Sequence, residues 1–408
     1  MSRVVPNDDL LAAIHASPFE DAPRLIYADH LAETGEPANL ARAEFIRVQL
    51  ALARLPADHP RTESLVARQA DLLQQFHSAW TAPVKGLVAG VEFRRGHLDA
   101  VSVDAEQFLR DGEELFRRLP IRKIRLLNGS RSLARIAASP LLDSICELDL
   151  ASTELGNGGL NILLRSPHLR TIESLDLGFN GLDDRGAALL AETTSLPALK
   201  ILSLSDNRIG GEGVRRLTES AWFPQIQWLD LTANSVSDVG IIALAARSPI
   251  ELSTLRLTLN PIGDDGVASL LGSALIVHLL HREPRLDFRR MELTSQTCSI
   301  IAGSQKLAEI THLDLSGNEI DSSGMKSLAG ATLPKLRRLS LRGNRIDDEG
   351  GIALARSPLM KSLTHLDLAN NKLTQLAADE LLAARRTPQT VVELSGNFLG
   401  PEEAGSIL

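Results

Sequence analysis

An α/β solenoid with a parallel inner sheet and outer helices, preceded by an α-helical domain, is the fold class that this sequence predicts. Three observations lead to it. A short motif recurs as Leu-Asp-Leu-Gly-Phe-Asn (175–180), Leu-Ser-Leu-Ser-Asp-Asn (202–207) and Leu-Asp-Leu-Thr-Ala-Asn (229–234). The same frame continues through Asn260, Asn318, Asn344, Asn371 and Asn397, with Thr153 and Met291 in the Asn position of two divergent copies. Successive spacings are 27, 27, 27, 26, 31, 27, 26, 27 and 26 residues, and a near-constant period is the mark of stacked units. Within each unit the apolar period then changes from two to that of a helix, so each copy reads as a strand followed by a helix.

The elements follow in chain order. Residues 1–83 lack the repeat and read as four helices, at 8–16, 21–34, 38–54 and 61–79, punctuated by Pro18, Gly35-Glu36-Pro37 and Pro56. Residues 84–120 read as strands at 91–94 and 98–103 and a helix at 105–118, a cap over the first open sheet edge, which would otherwise invite aggregation. Residues 121–408 hold ten copies and a degenerate first one at 121–126. In each strand the two leucines face the core, and one copy cannot bury them without its neighbours. The Asn is expected to bury its amide on backbone groups of its own copy and the next. A Gly follows six residues later in most copies (Gly186, Gly213, Gly240, Gly266, Gly324, Gly350), and Ser-Pro at 166–167, 248–249 and 357–358 closes helices, because the residue before Pro resists the α conformation.

The frame L-x-x-L-x-L-x-x-N-x-I/L resembles a leucine-rich repeat, and the repeat length with a helical second half is similar to the ribonuclease-inhibitor-like class. That resemblance implies a horseshoe with the strands on its concave face. The segment Glu20-Asp21-Ala22-Pro23-Arg24-Leu25-Ile26-Tyr27-Ala28-Asp29, with Arg42-Ala43-Glu44-Phe45-Ile46-Arg47-Val48-Gln49, resembles a bacterial repeat-companion domain found beside leucine-rich repeats. His30 stands where that family usually has an aromatic residue. This second resemblance implies a bacterial context and no particular chemistry.

Composition excludes several function classes. The net charge of −8 argues against nucleic acid, whose binders concentrate basic side chains, and against a polybasic membrane anchor. No signal peptide and no apolar run long enough for a membrane span is evident, so a cytoplasmic protein is expected. Two cysteines, Cys146 and Cys298, lie five repeats apart and read as reduced thiols, Cys298 as inert core.

Catalytic, cofactor and metal motifs are missing, and no enzyme is expected. The Gly-Gly-Glu-Gly run (210–213) is weakly phosphate-loop-like, but it matches the turn of other repeats. His278 and His281 with Glu283 lack a third metal ligand. His312 and His365, two repeats apart, would stand about 10 Å apart at their bases. The acidic pairs 183–184, 264–265 and 347–348 precede helices and read as caps.

The strand face remains. Its middle column reads Asp149, Asp176, Ser203, Asp230, Arg256, Asp287, Asp314, Ser340, Asp367, Glu393, and seven of the ten are acidic. This is either a habit of the repeat or an acidic track for a partner. The column before it includes Ile201, Trp228, Thr254, Arg285, His312, Arg338 and His365, and the column after it includes Arg289 and Arg342. An exposed Trp flanked by charge resembles an interface hot spot. The expected function is therefore an adaptor that binds a protein at Trp228, Asp230, Arg256, Arg285, Asp287, Arg289, Asp314, Arg338 and Arg342. Leucine-rich repeats of this class also occur in GTPase-activating proteins for Ran, so regulation of a small GTPase is a second reading by fold analogy alone. A helix begun at Pro401–Leu408 suggests a weakly capped end that pairs with another chain.

Overall fold

The computed structural model describes residues 7–17, 20–55, 59–119, 121–247, 251–385 and 390–400. It separates into two compact units, Met1–Thr153 with Arg165–Leu175, and Glu154–Leu164 with Asp176–Leu408.

The first unit opens with helices α1 (Asn7–Ala16), α2 (Ala22–Glu33), α3 (Pro37–Arg54) and α4 (Thr62–Thr81). Pro sits in the first turn of α2 and of α3, where its missing N–H costs nothing. Phe45 of α3 is fully buried against Trp80 and Phe93, and the Arg42 guanidinium lies over the same rings, 4.8 Å from the Trp80 centroid. Burial pushes the Arg42 pKa down to about 10. Strands β1 (Gly90–Arg94) and β2 (His97–Asp104) form an antiparallel hairpin, followed by α5 (Ala105–Arg118). β2 then pairs in parallel with β3 (Lys123–Leu127), the strand of the degenerate copy, which pairs with β4 (Glu147–Asp149). Short helix α6 (Leu133–Ala137) lies between them in sequence. Cys146, just before β4, takes a hydrogen bond from Arg122 Nη2 at 2.9 Å.

The unit division falls within β5 (Ser174–Asp176). The second unit contains α7 (Gly156–Leu164) and then alternates strand and helix: α8 (Asp184–Glu192), β6 (Ile201–Ser203), α9 (Gly211–Thr218), β7 (Trp228–Asp230), α10 (Asp238–Ala246), β8 (Thr254–Arg256) and α11 (Asp264–Gly272). An additional helix, α12 (Ala274–Arg282), fills the 31-residue step. After it come β9 (Arg285–Asp287), α13 (Ser295–Gly303), β10 (His312–Asp314), α14 (Ser322–Ala329), β11 (Arg338–Ser340), α15 (Asp348–Ala355), β12 (His365–Asp367), α16 (Gln375–Ala383) and β13 (Val391–Glu393). The Ser-Pro at 248–249 and the segment Pro401–Leu408, with the chain pairing expected of it, lie outside the described residues.

Leucines of the motif fill the core: Leu202, Leu204, Leu229, Leu231, Leu313 and Leu315 are all at most 1% exposed. The Asn of each copy through Asn371 is buried with them, and Asn397 is partly so, but each reaches back to the preceding copy, not forward to the next. Asn234 Nδ2 donates to its own Leu231 carbonyl (3.2 Å) and to the preceding Leu204 carbonyl (2.8 Å), while Oδ1 accepts from the preceding Ile209 N–H (2.9 Å). The physical reason is that the preceding turn offers the Ile209 N–H to a side-chain acceptor and leaves the Leu204 carbonyl, already bonded by Asn207, room for a second donor. Thr153 keeps one such bond, to Leu150 O at 2.6 Å.

Helices of neighbouring copies pack closely enough to need the recurrent glycine. A Cβ at Gly213 would stand 2.5 Å from Asp184 Oδ1 and 3.0 Å from Ala187 Cβ of the preceding copy. The acidic pairs explain that approach. Asp183 caps its own helix, accepting from Arg185 N–H at 2.8 Å, whereas Asp184 caps the next one, accepting from Gly210 N–H (2.6 Å) and Gly213 N–H (3.0 Å). Asp347 and Asp348 divide the work likewise, on Glu349 and on Thr374 of the next copy. Two of the Gly-Gly-Glu-Gly amides, those of Gly210 and Gly213, are thus already held by a carboxylate of the chain.

The sequence suggests one continuous parallel sheet through the copies; the structure interrupts it. β6, β7 and β8 pair in parallel, and β9 to β13 form a separate parallel sheet, so β8 and β9 end their sheets facing each other without pairing. The cause is the 31-residue step, whose extra residues build α12 beside β8 and hold the next strand off.

Candidate partner-binding face

Each strand contributes two outward positions, which the strand register sets into columns, and the residue two places beyond the strand end adds a third. The first column aligns Ile201, Trp228 and Thr254 in one sheet and Arg285, His312, Arg338, His365 and Val391 in the other. Trp228 is half-buried, and Ile201 beside it is 41% exposed, so the pair forms an apolar patch. The other two tryptophans are used elsewhere: Trp222 is buried and donates Nε1–H to Leu190 O at 2.8 Å, and Trp80 stacks on Phe76.

The acidic middle column has a local task. Asp176, Asp230, Asp314 and Asp367 each accept the backbone N–H two residues on, at 2.8–3.0 Å, and Asp287 does so at 3.3 Å. Such side-chain turns tie the strand end to the loop, which gives the acidic habit of the repeat a structural cause. Burial raises the Asp314 pKa against the opposing effect of its Ser316 bonds.

The third column neutralises part of this acidity. Arg289 pairs with Asp287 at 2.5 Å and approaches Asp314 at 3.5 Å, and Arg342 stands 4.0 Å from Asp367. Arg289 is held above the usual guanidinium range by its Asp287 bond. Arg256, Arg285 and Arg338 are exposed and, among the described residues, have no carboxylate within ion-pair distance. His312, between Arg285 and Arg338, has its pKa lowered by burial and then by those two arginines.

Two concavities mark this face. One, of about 410 Å³, lies at the unpaired β8/β9 step, with Leu255, Leu257 and Ile276 on its floor and Arg256, Arg285, Asp287 and Arg289 around it. The other, of about 580 Å³, brings Arg289, Asp314, Arg342 and Asp367 together with Ser316 and Ser340. Trp228, Asp230 and Arg338 line neither. Leu255 was not a sequence candidate; its strand lost its neighbour, and its side chain is only half-buried where equivalent leucines are sealed. The 31-residue spacing was the available signal. Cys298 is fully buried, and burial pushes its thiol up to about 12. His278 and His281 are exposed on α12, and among the described residues no three His, Cys, Asp or Glu side chains gather as metal ligands. Among the same residues, no helix is long and apolar enough to cross a membrane.

Family models match the repeats. A leucine-rich repeat model matches residues 168–191, 196–217, 252–271 and 310–329, and a model of two leucine-rich repeat copies matches residues 334–382. No curated protein shows significant similarity. Solved structures similar to the chain include one described as the mouse RP105/MD-1 complex, at 19% identity and a TM-score of 0.42, covering 71% of this chain and 50% of that one. Another, described as a TDR receptor, has 15% identity and a TM-score of 0.32, covering 71% and 58%. The chain thus spans half the length of the first and 58% of the second. The repeated segments are leucine-rich repeats, and the fold is that of an α/β leucine-rich repeat solenoid.

Proposed function

We propose that the chain is a non-enzymatic adaptor that binds a protein partner on the strand face of its second unit, with Trp228 at the centre of the contact and the charged columns as flanks. Leucine-rich repeats generally mediate protein–protein interaction, which sets the class of the reading. The observation that carries it further is the alignment of Trp228 with exposed Ile201 on a face where the core leaves them partly uncovered. Rigid aromatic side chains in such positions dominate binding energy when a partner seals them from water. The repeat length supports the ribonuclease-inhibitor-like class, and the resemblance of the first fifty or so residues supports a bacterial repeat-companion domain.

Affinity capture from lysate of the native host tests this, comparing wild type with Trp228→Ala. Retention of a protein by wild type and its loss by the variant, with unchanged circular dichroism, is the expected result. Equal capture by both would move the function to the N-terminal helices or the helix face of the repeats.

A further inference from the structure

The chemistry of the face narrows the kind of partner, given the strand-face reading above. The arginines divide into two groups. Arg289 and Arg342 are spent on the acidic column, while Arg285 and Arg338 project from the first column without a carboxylate partner among the described residues. His312 lies between these two in register, so the first column sets two guanidinium groups without carboxylate partners, among the described residues, on either side of a histidine. Next to this column the β8/β9 cleft has an apolar floor with a half-buried Leu255, and Arg256 and Arg285 stand at its mouth. Beyond the cleft the two copies rejoin where Leu259 N–H donates to Arg289 O at 3.2 Å.

We propose that the face recognises an extended acidic peptide segment with one apolar anchor residue, the anchor in the β8/β9 cleft and the flanking carboxylates on Arg285 and Arg338. Those two arginines are two strands apart, roughly 10 Å, a span that carboxylates about two to four residues apart in an extended chain cover. Charge complementarity selects the acidic peptide over a polynucleotide. Asp287, Asp314 and Asp367 run alongside the arginine column, so anions are accepted only at separate points, which spaced carboxylates can match and a continuous phosphate backbone cannot.

Fluorescence anisotropy on the full chain tests the assignment, with fluorescein-labelled peptides rich in Asp and Glu around a central Leu. Controls are the same peptide with Leu→Ala, a version with Lys in place of the acids, and single-stranded RNA. The expected result is saturable binding that weakens at high salt. It should fall roughly tenfold with the Leu→Ala peptide, and roughly tenfold or more with an Arg285→Glu/Arg338→Glu variant of unchanged circular dichroism. Arg338→Gln should give an intermediate loss. No saturation, equal binding of the lysine peptide, tighter binding of the RNA, or indifference to the charge reversal would each overturn the proposal. If the peptides fail while Trp228→Ala still abolishes capture, only the acidic segment is wrong; if both fail, the strand-face reading falls with it.

Discussion

Asn260 and Met291 occupy the same place in consecutive repeats, and only Asn260 reaches back. Asn260 Oδ1 accepts from Val236 N–H at 2.9 Å and Nδ2 donates to Leu231 O at 2.7 Å. The donor that an Asn at 291 would take is Ile262 N–H, which turns back to the carbonyl of Asn260 at 2.8 Å. The Met291 step lacks both the amide and strand pairing, whereas at Thr153, also without an Asn, β3 and β4 still pair. Loss of the polar link and loss of the sheet therefore coincide at one boundary between copies.

The first prediction separates these two positions. Asn234→Ala removes three hydrogen bonds and leaves the Ile209 N–H without its acceptor, while the Leu204 and Leu231 carbonyls keep Asn207 and Asn260 as donors, and it should destabilise the second unit by roughly 2–3 kcal/mol. Met291→Leu keeps volume and loses no polar partner, so its cost should stay below about 1.5 kcal/mol. Urea midpoints of the two variants check the ordering; equal midpoints would contradict the assigned role of the amide.

Two glycines should respond with opposite sign. Gly213→Ala forces a methyl group onto Asp184 and Ala187 and should cost about 1–3 kcal/mol. At Gly272, the end of α11, an added methyl group would meet nothing within 4 Å and the backbone is not left-handed, so Gly272→Ala should be neutral or stabilise by about 0.5 kcal/mol. Thermal midpoints decide, and a destabilising Gly272→Ala would refute the open-space argument.

Much of this architecture was legible because the period recurs ten times and leucine, asparagine and glycine each hold a fixed place in it. The purpose of the acidic column was not, since it depends on an amide two residues away that a strand of three residues does not advertise. Nor was the sheet break. Spacing and Met291 flagged an irregular copy, but only the packing shows that the added residues form α12 and part β8 from β9. The pairing of Arg289 and Arg342, against the isolation of Arg285 and Arg338, is likewise a matter of distances between copies.

Acid should weaken the α13–α14 region through Asp321. Hydrogen bonds from Ser295 and Ser323 hold its carboxyl down to about 2, below the ordinary value of 3.8. A depressed folded-state value means stability that is present above the unfolded value and lost as pH falls from about 4 towards 2. Asp321→Ala should lose the cap at neutral pH and flatten that acid limb. Thermal midpoints measured across the window would show an unchanged slope if the carboxylate were idle.

Cys298 should resist thiol reagents in the folded chain at pH 8, because a thiol held near 12 supplies almost no thiolate and the side chain is sealed. Mass spectrometry after brief alkylation should find it modified only once the second unit is unfolded. Rapid native modification would show that the helix row opens.

The unpaired β8/β9 step also governs how force and heat travel through the repeats. In a linear array each copy is held by its two neighbours, so cooperativity is only as continuous as the weakest junction. This junction keeps the Leu259–Arg289 bond, a Glu292 N–H to Ile262 O bond at 3.0 Å and the Asp264 cap on Thr294, but no strand ladder and no asparagine. The array should therefore melt as two blocks that part between residues 256 and 285, with amide exchange fastest at that seam and an anchor lodged in the cleft acting as a rivet between them.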